Sequence, residues 1–310
     1  MRHLVILGLS AALLGACERP ASPVVEAAEP APLPALLTWA DLTARPLPSP
    51  SATVRYAEGD AGVIDVWLPD GDGPHPVVLM IHGGCWQKAI ADRSLMNYAA
   101  EDLRQRGLAV WNIEYRGVDE DGGGYPGTFL DVAAAVDALR NAPPAYNLNT
   151  TKIVAIGHSA GGHLAAWASA RGNINAASPL AATEPVELAA VINSGGLADL
   201  EASEPVTLQS CLADVRPLLT GSPSEARPDV YSDTSASRLA PSRAEHISVN
   251  ATRDGIAPPE LGKGYTDLVR ASGGQAMYIE VPGGHVELIT PGTQAWEAQA
   301  TLLVQLLRTE

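Results

Sequence analysis

One stretch constrains this chain more than any other: residues 153–163 read IVAIGHSAGGH, and LAAWASA follows through Ala170. Ile153, Val154, Ala155 and Ile156 form the unbroken apolar run of a strand buried on both faces. The alanine-rich run has the spacing and propensity of a helix. Only Gly157-His158-Ser159-Ala160-Gly161 separates them, so strand must reverse into helix where flanking side chains have almost no room. A serine on that corner is lifted to the top of the sheet at a helix N-terminus, with the Ala160 amide beside it. A serine that merely caps the helix is the competing reading.

The rest of the chain repeats the alternation. Strand patterns cover 53–58, 62–69, 74–84, 108–116, 152–159, 188–196, 246–254 and 276–285. Helical spacing covers 93–107, 128–142, 160–170, 261–274 and 293–308, with Gly107 expected to end the first of these. Such a pattern predicts an α/β domain, its mostly parallel central sheet covered by helices on both faces. A chain of 310 residues accommodates one such domain, expected over 51–310. The rhythm breaks over 194–245, where PVTLQSCLADVRPLLTG is the one good helical run. An interval this long at the carboxyl end of a sheet reads as a lid or substrate wall, or as a helix with a long loop.

Residues 77–87, VVLMIHGGCWQ, resemble the oxyanion loop of α/β-hydrolase esterases with His-Gly-Gly-Gly or His-Gly-Gly-x-Trp signatures. The resemblance implies the α/β-hydrolase fold and oxyanion donors at the N–H groups of Gly84, Cys85 and Ala160, with Gly83 a competing donor. It also implies that His82 fixes the loop rather than serving as a base. A serine nucleophile needs a histidine base and a carboxylate to orient it, and in this fold they follow in the order serine, acid, histidine. Of seven histidines, His3 lies in the leader, His75, His82, His158 and His163 precede or crowd the serine, and His246 opens a buried strand. That leaves His285, in VPGGHVELI just after the last strand. ISVNATRDGIAPPELG is similar to the family's acid loop and makes Asp254 the acid, with Glu287 and Asp233 as distant competitors. NIEYRGV and GGGYPGTFLDVAAAVDAL resemble segments of hormone-sensitive-lipase-like esterases and kynurenine-formamidase-like hydrolases. There Arg116 and Asp131 are implied to hold the loop beneath the oxyanion turn, surface ion pairing being the alternative, and Glu114 replaces the usual aspartate.

Together these features imply a serine hydrolase cleaving esters of small to medium acyl groups through an acyl-enzyme, with no cofactor and no metal. The same residues would serve an amidase of the arylformamidase or acylaminoacyl-peptidase kind. A non-catalytic binding protein on this fold is the reading from another class, and such proteins usually lack a triad member that is present here. The formal net charge of -15 offers no basic patch for nucleic acid. MRH, the apolar LVILGLSAALL and Leu14-Gly15-Ala16 read as a signal peptide over 1–16. Leu-Gly-Ala-Cys resembles the lipobox of bacterial lipoproteins, implying lipid on Cys17 and a cell-envelope location, at the outer membrane since Glu18 replaces the usual retention aspartate. The membrane would then be met through that lipid only. An ordinary secretory signal is the alternative. Residues 17–50, rich in proline, are expected to be an extended tether, with ALLTWADL a candidate docked helix. Cys85 and Cys211 are either bridged across the lid or two buried thiols.

Overall fold

The computed structural model of the chain describes residues 33–207, 211 and 214–308. The chain divides into two units, Met1–Ala35 and Leu36–Glu310, and the sheet and its helices belong to the second.

Its strands are β1 (Ala52–Arg55), β2 (Val63–Trp67), β3 (His75–Ile81), β4 (Ala109–Ile113), β5 (Leu148–His158), β6 (Ala190–Ser194), β7 (Glu245–Ala251) and β8 (Ala276–Val281). They form one eight-stranded sheet in the order β1-β2-β4-β3-β5-β6-β7-β8. β1 and β2 pair antiparallel, as do β2 and β4, while every pairing from β4 to β8 is parallel. Each predicted strand is present. The helices are α1 (Trp39–Thr43), α2 (Asn97–Gln105), α3 (Gly127–Asp137), α4 (Ala160–Ala170), α5 (Leu200–Ser203), α6 (Arg216–Thr220), α7 (Pro259–Ala271) and α8 (Gln294–Arg308). Gly107, with φ 86, ends the α2 segment as its glycine implies.

Strand side chains alternate between two buried layers. Val77, Leu79 and Ile81 join Phe129 and Val132 of α3, Leu164 and Trp167 of α4 and Val269 of α7. Val78 and Met80 join Leu103 of α2, Trp296 and Leu303 of α8 and Leu42 of α1. Both sheet faces are therefore dry, which is why the strands read as continuous apolar runs.

Two expectations about segments change. The tether expected over 17–50 does not extend to 50: residues 36–50 are packed on the domain, and Cys17 lies outside the described residues. Leu42 is fully buried, Leu37 N–H donates to Glu287 Oε1 at 2.8 Å, and Asn97 Nδ2 donates to the Pro48 carbonyl at 3.0 Å. Proline costs this segment its amide donors but leaves its carbonyls free to be held from outside. Of the helical run expected over 205–221, the described residues are helical from Arg216, where α6 begins. Pro217 suits the first turn of a helix and would break the interior of a longer one.

Candidate active site

Ser159 stands where β5 turns into α4, with φ 56 and ψ -122. A residue with a side chain rarely takes that conformation, so its surroundings must enforce it. A Cβ at Gly157 would lie 2.0 Å from the Gly161 carbonyl oxygen, and one at Gly161 would lie 2.2 Å from that of Ile81. Glycine at both positions lets β3, β5 and α4 close on the corner. Ser159 N–H donates to the Ser194 carbonyl at 2.9 Å, fixing the corner to β6. Ala160 opens α4, where its N–H has no carbonyl one turn earlier to bond.

His285 follows β8, and its Nδ1–H donates to Asp254 Oδ2 at 2.6 Å with both side chains buried. The carboxylate is held in turn, since Asp254 Oδ1 accepts the N–H groups of Ile256 and Ala257, each at 2.9 Å. Ser159 and His285 line one cavity of about 420 Å³ together with Gly84 and Cys85. Its remaining wall is largely apolar, with Trp39, Ile90, Ala91, Leu95 and Ile256. The structure thus brings Ser159, His285, Gly84 and Cys85 to one space, with Asp254 behind the imidazole and Ala160 beside the serine.

The loop after β3 has an unusual backbone. Gly84, Cys85 and Trp86 have φ of 104, 53 and 57 in succession. Three ties hold it there. Trp86 Nε1 donates to His163 Nδ1 of α4 at 3.2 Å, Val118 N–H donates to the Trp86 carbonyl at 2.7 Å, and Cys85 is bonded to Cys211, with Cα atoms 5.2 Å apart. Of the two states the sequence left open for these cysteines, the structure has the bridge. His82 Nδ1 donates to the Gly83 carbonyl at 2.7 Å. The C=O and N–H of a trans peptide point opposite ways, so the Gly84 N–H is turned away from His82.

His82 Nε2 also meets Glu114 Oε1 at 2.7 Å, and Glu114 Oε2 accepts Lys88 Nζ at 2.9 Å and the Arg93 N–H at 3.2 Å. Burial alone would raise the Glu114 carboxyl, but His82 and Lys88 outweigh it and hold it well below the usual range. Arg116 grips Asp131 through Nε at 2.7 Å and Nη2 at 2.8 Å, while its own N–H donates to the same carboxylate at 3.0 Å. The competing acids are committed elsewhere. Asp233 accepts Arg227 Nη2 at 2.6 Å and the Tyr125 hydroxyl at 2.9 Å. Glu287 is buried, and accepts Leu37 N–H at 2.8 Å and Gly284 N–H at 3.1 Å.

Sequence reasoning missed two parts of the site. His158 packs its ring 4.4 Å from that of His285 and donates from Nε2 to the His285 carbonyl at 3.1 Å. Burial, reinforced by His285, holds its pKa well below the usual value, so it stays neutral beside the imidazole. Trp39 of α1 lines the cavity and meets His158 and His285 edge-on, each at 6.2 Å between ring centroids. α1 itself is the docked helix expected in ALLTWADL, and its signal was local: Thr38 and Asp41 form a capping box, with Thr38 N–H donating to Asp41 Oδ2 at 2.7 Å; the place of Trp39 on the cavity was not. Residues 194–245, expected as lid or wall, supply no lining residue to this cavity among the described residues. Their Leu197, Leu200, Val215 and Leu219 are spent in the core layer of α3 and α4.

Comparison with known proteins agrees with this architecture. The chain is 27% identical over 243 residues to esterase LipC of Mycobacterium tuberculosis (strain ATCC 25618 / H37Rv), covering 75% of this chain and 58% of that protein. It therefore spans little more than half the length of that curated relative. Esterase B of Lactobacillus rhamnosis superposes with a TM-score of 0.69 at 17% identity, over 84% of this chain and 86% of that one. A truncated form of carbohydrate esterase from gut microbiota gives 0.68 at 20% identity, over 84% and 98%. These likenesses show the α/β-hydrolase fold. Residues 64–262, nearly the whole run from β2 into α7, match the family model described as BD-FAE, and the chain belongs to that family.

Proposed function

We propose that this chain is a serine esterase that hydrolyses carboxylic esters of small to medium acyl groups through an acyl-enzyme. The observation that carries the reading is the buried His285–Asp254 hydrogen bond of 2.6 Å, whose imidazole lines the same cavity as Ser159. Ser159 Oγ attacks the ester carbonyl carbon while His285 Nε2 takes its proton, and Asp254 keeps the opposite nitrogen protonated and stabilises the imidazolium. Charge growing on the carbonyl oxygen is met by the N–H groups of Gly84, Cys85 and Ala160; removing one such donor typically costs ~3 kcal/mol of transition-state stabilisation. His285 then protonates the departing alcohol, and a water deprotonated by the same nitrogen releases the acid. A largely apolar cavity of about 420 Å³ supports an acyl group of modest size.

In Ser159→Ala, hydrolysis of p-nitrophenyl butyrate falls by at least about 10⁴-fold with an unchanged melting temperature. Near-wild-type turnover would refute the assignment. The proposal extends to a lipoprotein, on the strength of Leu14-Gly15-Ala16-Cys17, and to the outer membrane, on Glu18 in place of the usual retention aspartate. Expressed in a bacterial envelope, the full chain should enter the detergent phase on cloud-point separation and Cys17→Ser should not; equal partition of the two removes the anchor.

A further inference from the structure

The cavity has an exposed, apolar rim that belongs to no part of the reacting machinery. Trp39 and Ile90 both line it, yet they are 39% and 58% exposed. Trp39 stands on α1, which is anchored independently of the ring itself. Leu42 on the same helix is fully buried, and Glu287 grips both the Leu37 N–H and the Gly284 N–H next to His285. The segment carrying Trp39 and the loop carrying His285 are therefore fastened to one carboxylate.

The chemistry gives this position a meaning. In acylation the proton taken from serine passes from His285 to the oxygen of the departing alcohol, so the alcohol part of the ester must lie beside that imidazole. It must also leave toward solvent before water can enter. Trp39 meets both conditions, packed edge-on to His285 at 6.2 Å and partly open to water. Resting on the esterase reading above, we infer that Trp39 is a specificity-determining residue for the alcohol half of the substrate. It favours alcohols that present a flat or extended apolar group to the indole face.

The acyl-enzyme separates this role from an acyl-pocket role, because the alcohol has gone before deacylation begins. The test compares kcat/KM for 1-naphthyl butyrate, methyl butyrate and 1-naphthyl acetate in wild type and Trp39→Ala. Intrinsic leaving-group reactivity cancels in that comparison. The naphthyl-to-methyl ratio should fall about tenfold or more in the variant, while the butyrate-to-acetate ratio for naphthyl esters stays within about twofold, and Trp39→Phe should restore most of the loss. An unchanged naphthyl-to-methyl ratio in Trp39→Ala, or a shift confined to the butyrate-to-acetate ratio, overturns the inference. Active-site titration with a fluorophosphonate reads the underlying reaction separately. Full titration with unchanged alcohol ratios defeats the role of Trp39 alone, whereas a wild-type chain that is not modified defeats the serine reading and this inference with it.

Discussion

Glu114 is wholly buried, yet His82, Lys88 and Arg93 all converge on it. Its sequence neighbours marked it as a position in a known segment, occupied by glutamate instead of aspartate. They gave no hint of three basic partners, because Lys88 and Arg93 lie 26 and 21 residues away and no short-range spacing links them to it. The placement of His285 and Asp254 was legible for the opposite reason: each follows a strand end, where the resemblance expects the base and the acid. His163 illustrates a histidine that is structural. Its Nδ1 accepts from Trp86 and its Nε2 donates to the Thr234 carbonyl at 2.7 Å, so it must be neutral, and burial lowers its pKa from 6.5 to about 4. His246, buried beside Ser242 and Tyr265, is lowered to about 4 as well. The unfolded chain takes up these protons below pH 6.5 while the folded chain refuses them until about 4. Their stabilisation is therefore complete above pH 6.5 and is lost as pH falls through that window. His163→Gln, which can keep one donor and one acceptor, should lose roughly 2 kcal/mol less stability than wild type between pH 7 and pH 5. Urea unfolding at the two pH values measures it, and equal losses in both proteins would contradict the protonation argument.

Among elements, the turn from β5 into α4 was readable because glycine spacing and its strand and helix flanks all lie within one short stretch. The loop after β3 was readable as a motif but not as a geometry. Nothing in HGGCW says that Cys85 and Trp86 take positive φ or that Trp86 reaches across to α4. The bridge from Cys85 to Cys211 closes a loop with a sequence separation of 126 residues and fastens this strained turn to the segment after β6. With reductant absent, neither Cys85 nor Cys211 should react with a thiol reagent after denaturation. Reduction should lower stability by up to about 4 to 5 kcal/mol on the chain-entropy account of so long a loop. Two reactive thiols at those positions before reduction would remove the bridge. α1 was legible as a candidate docked helix in ALLTWADL, while the prolines around it made the rest of 17–50 read as tether; what docks it is Leu42 in the core and a carboxylate 250 residues away at Glu287.

At the scale of the molecule, the sheet was legible almost strand for strand, since strands buried on both faces leave uninterrupted apolar runs whatever their order. The order itself, with β4 between β2 and β3, is set by tertiary pairing and not by any residue pattern. The cavity walls were the least legible part. A wall from 194–245 was one of two readings of that interval; among the described residues the walls come from α1, the residues after β3 and Ile256, because walls are made by tertiary contacts that no local period encodes. The sheet brings residues 159, 254 and 285 to one end, and the most direct test reads that convergence chemically. A fluorophosphonate should modify the chain once, at Ser159 by peptide mass mapping, and His285→Ala should slow the modification by about 10²-fold or more. Modification at another residue, or an unchanged rate at Ser159 without the imidazole, would contradict the account.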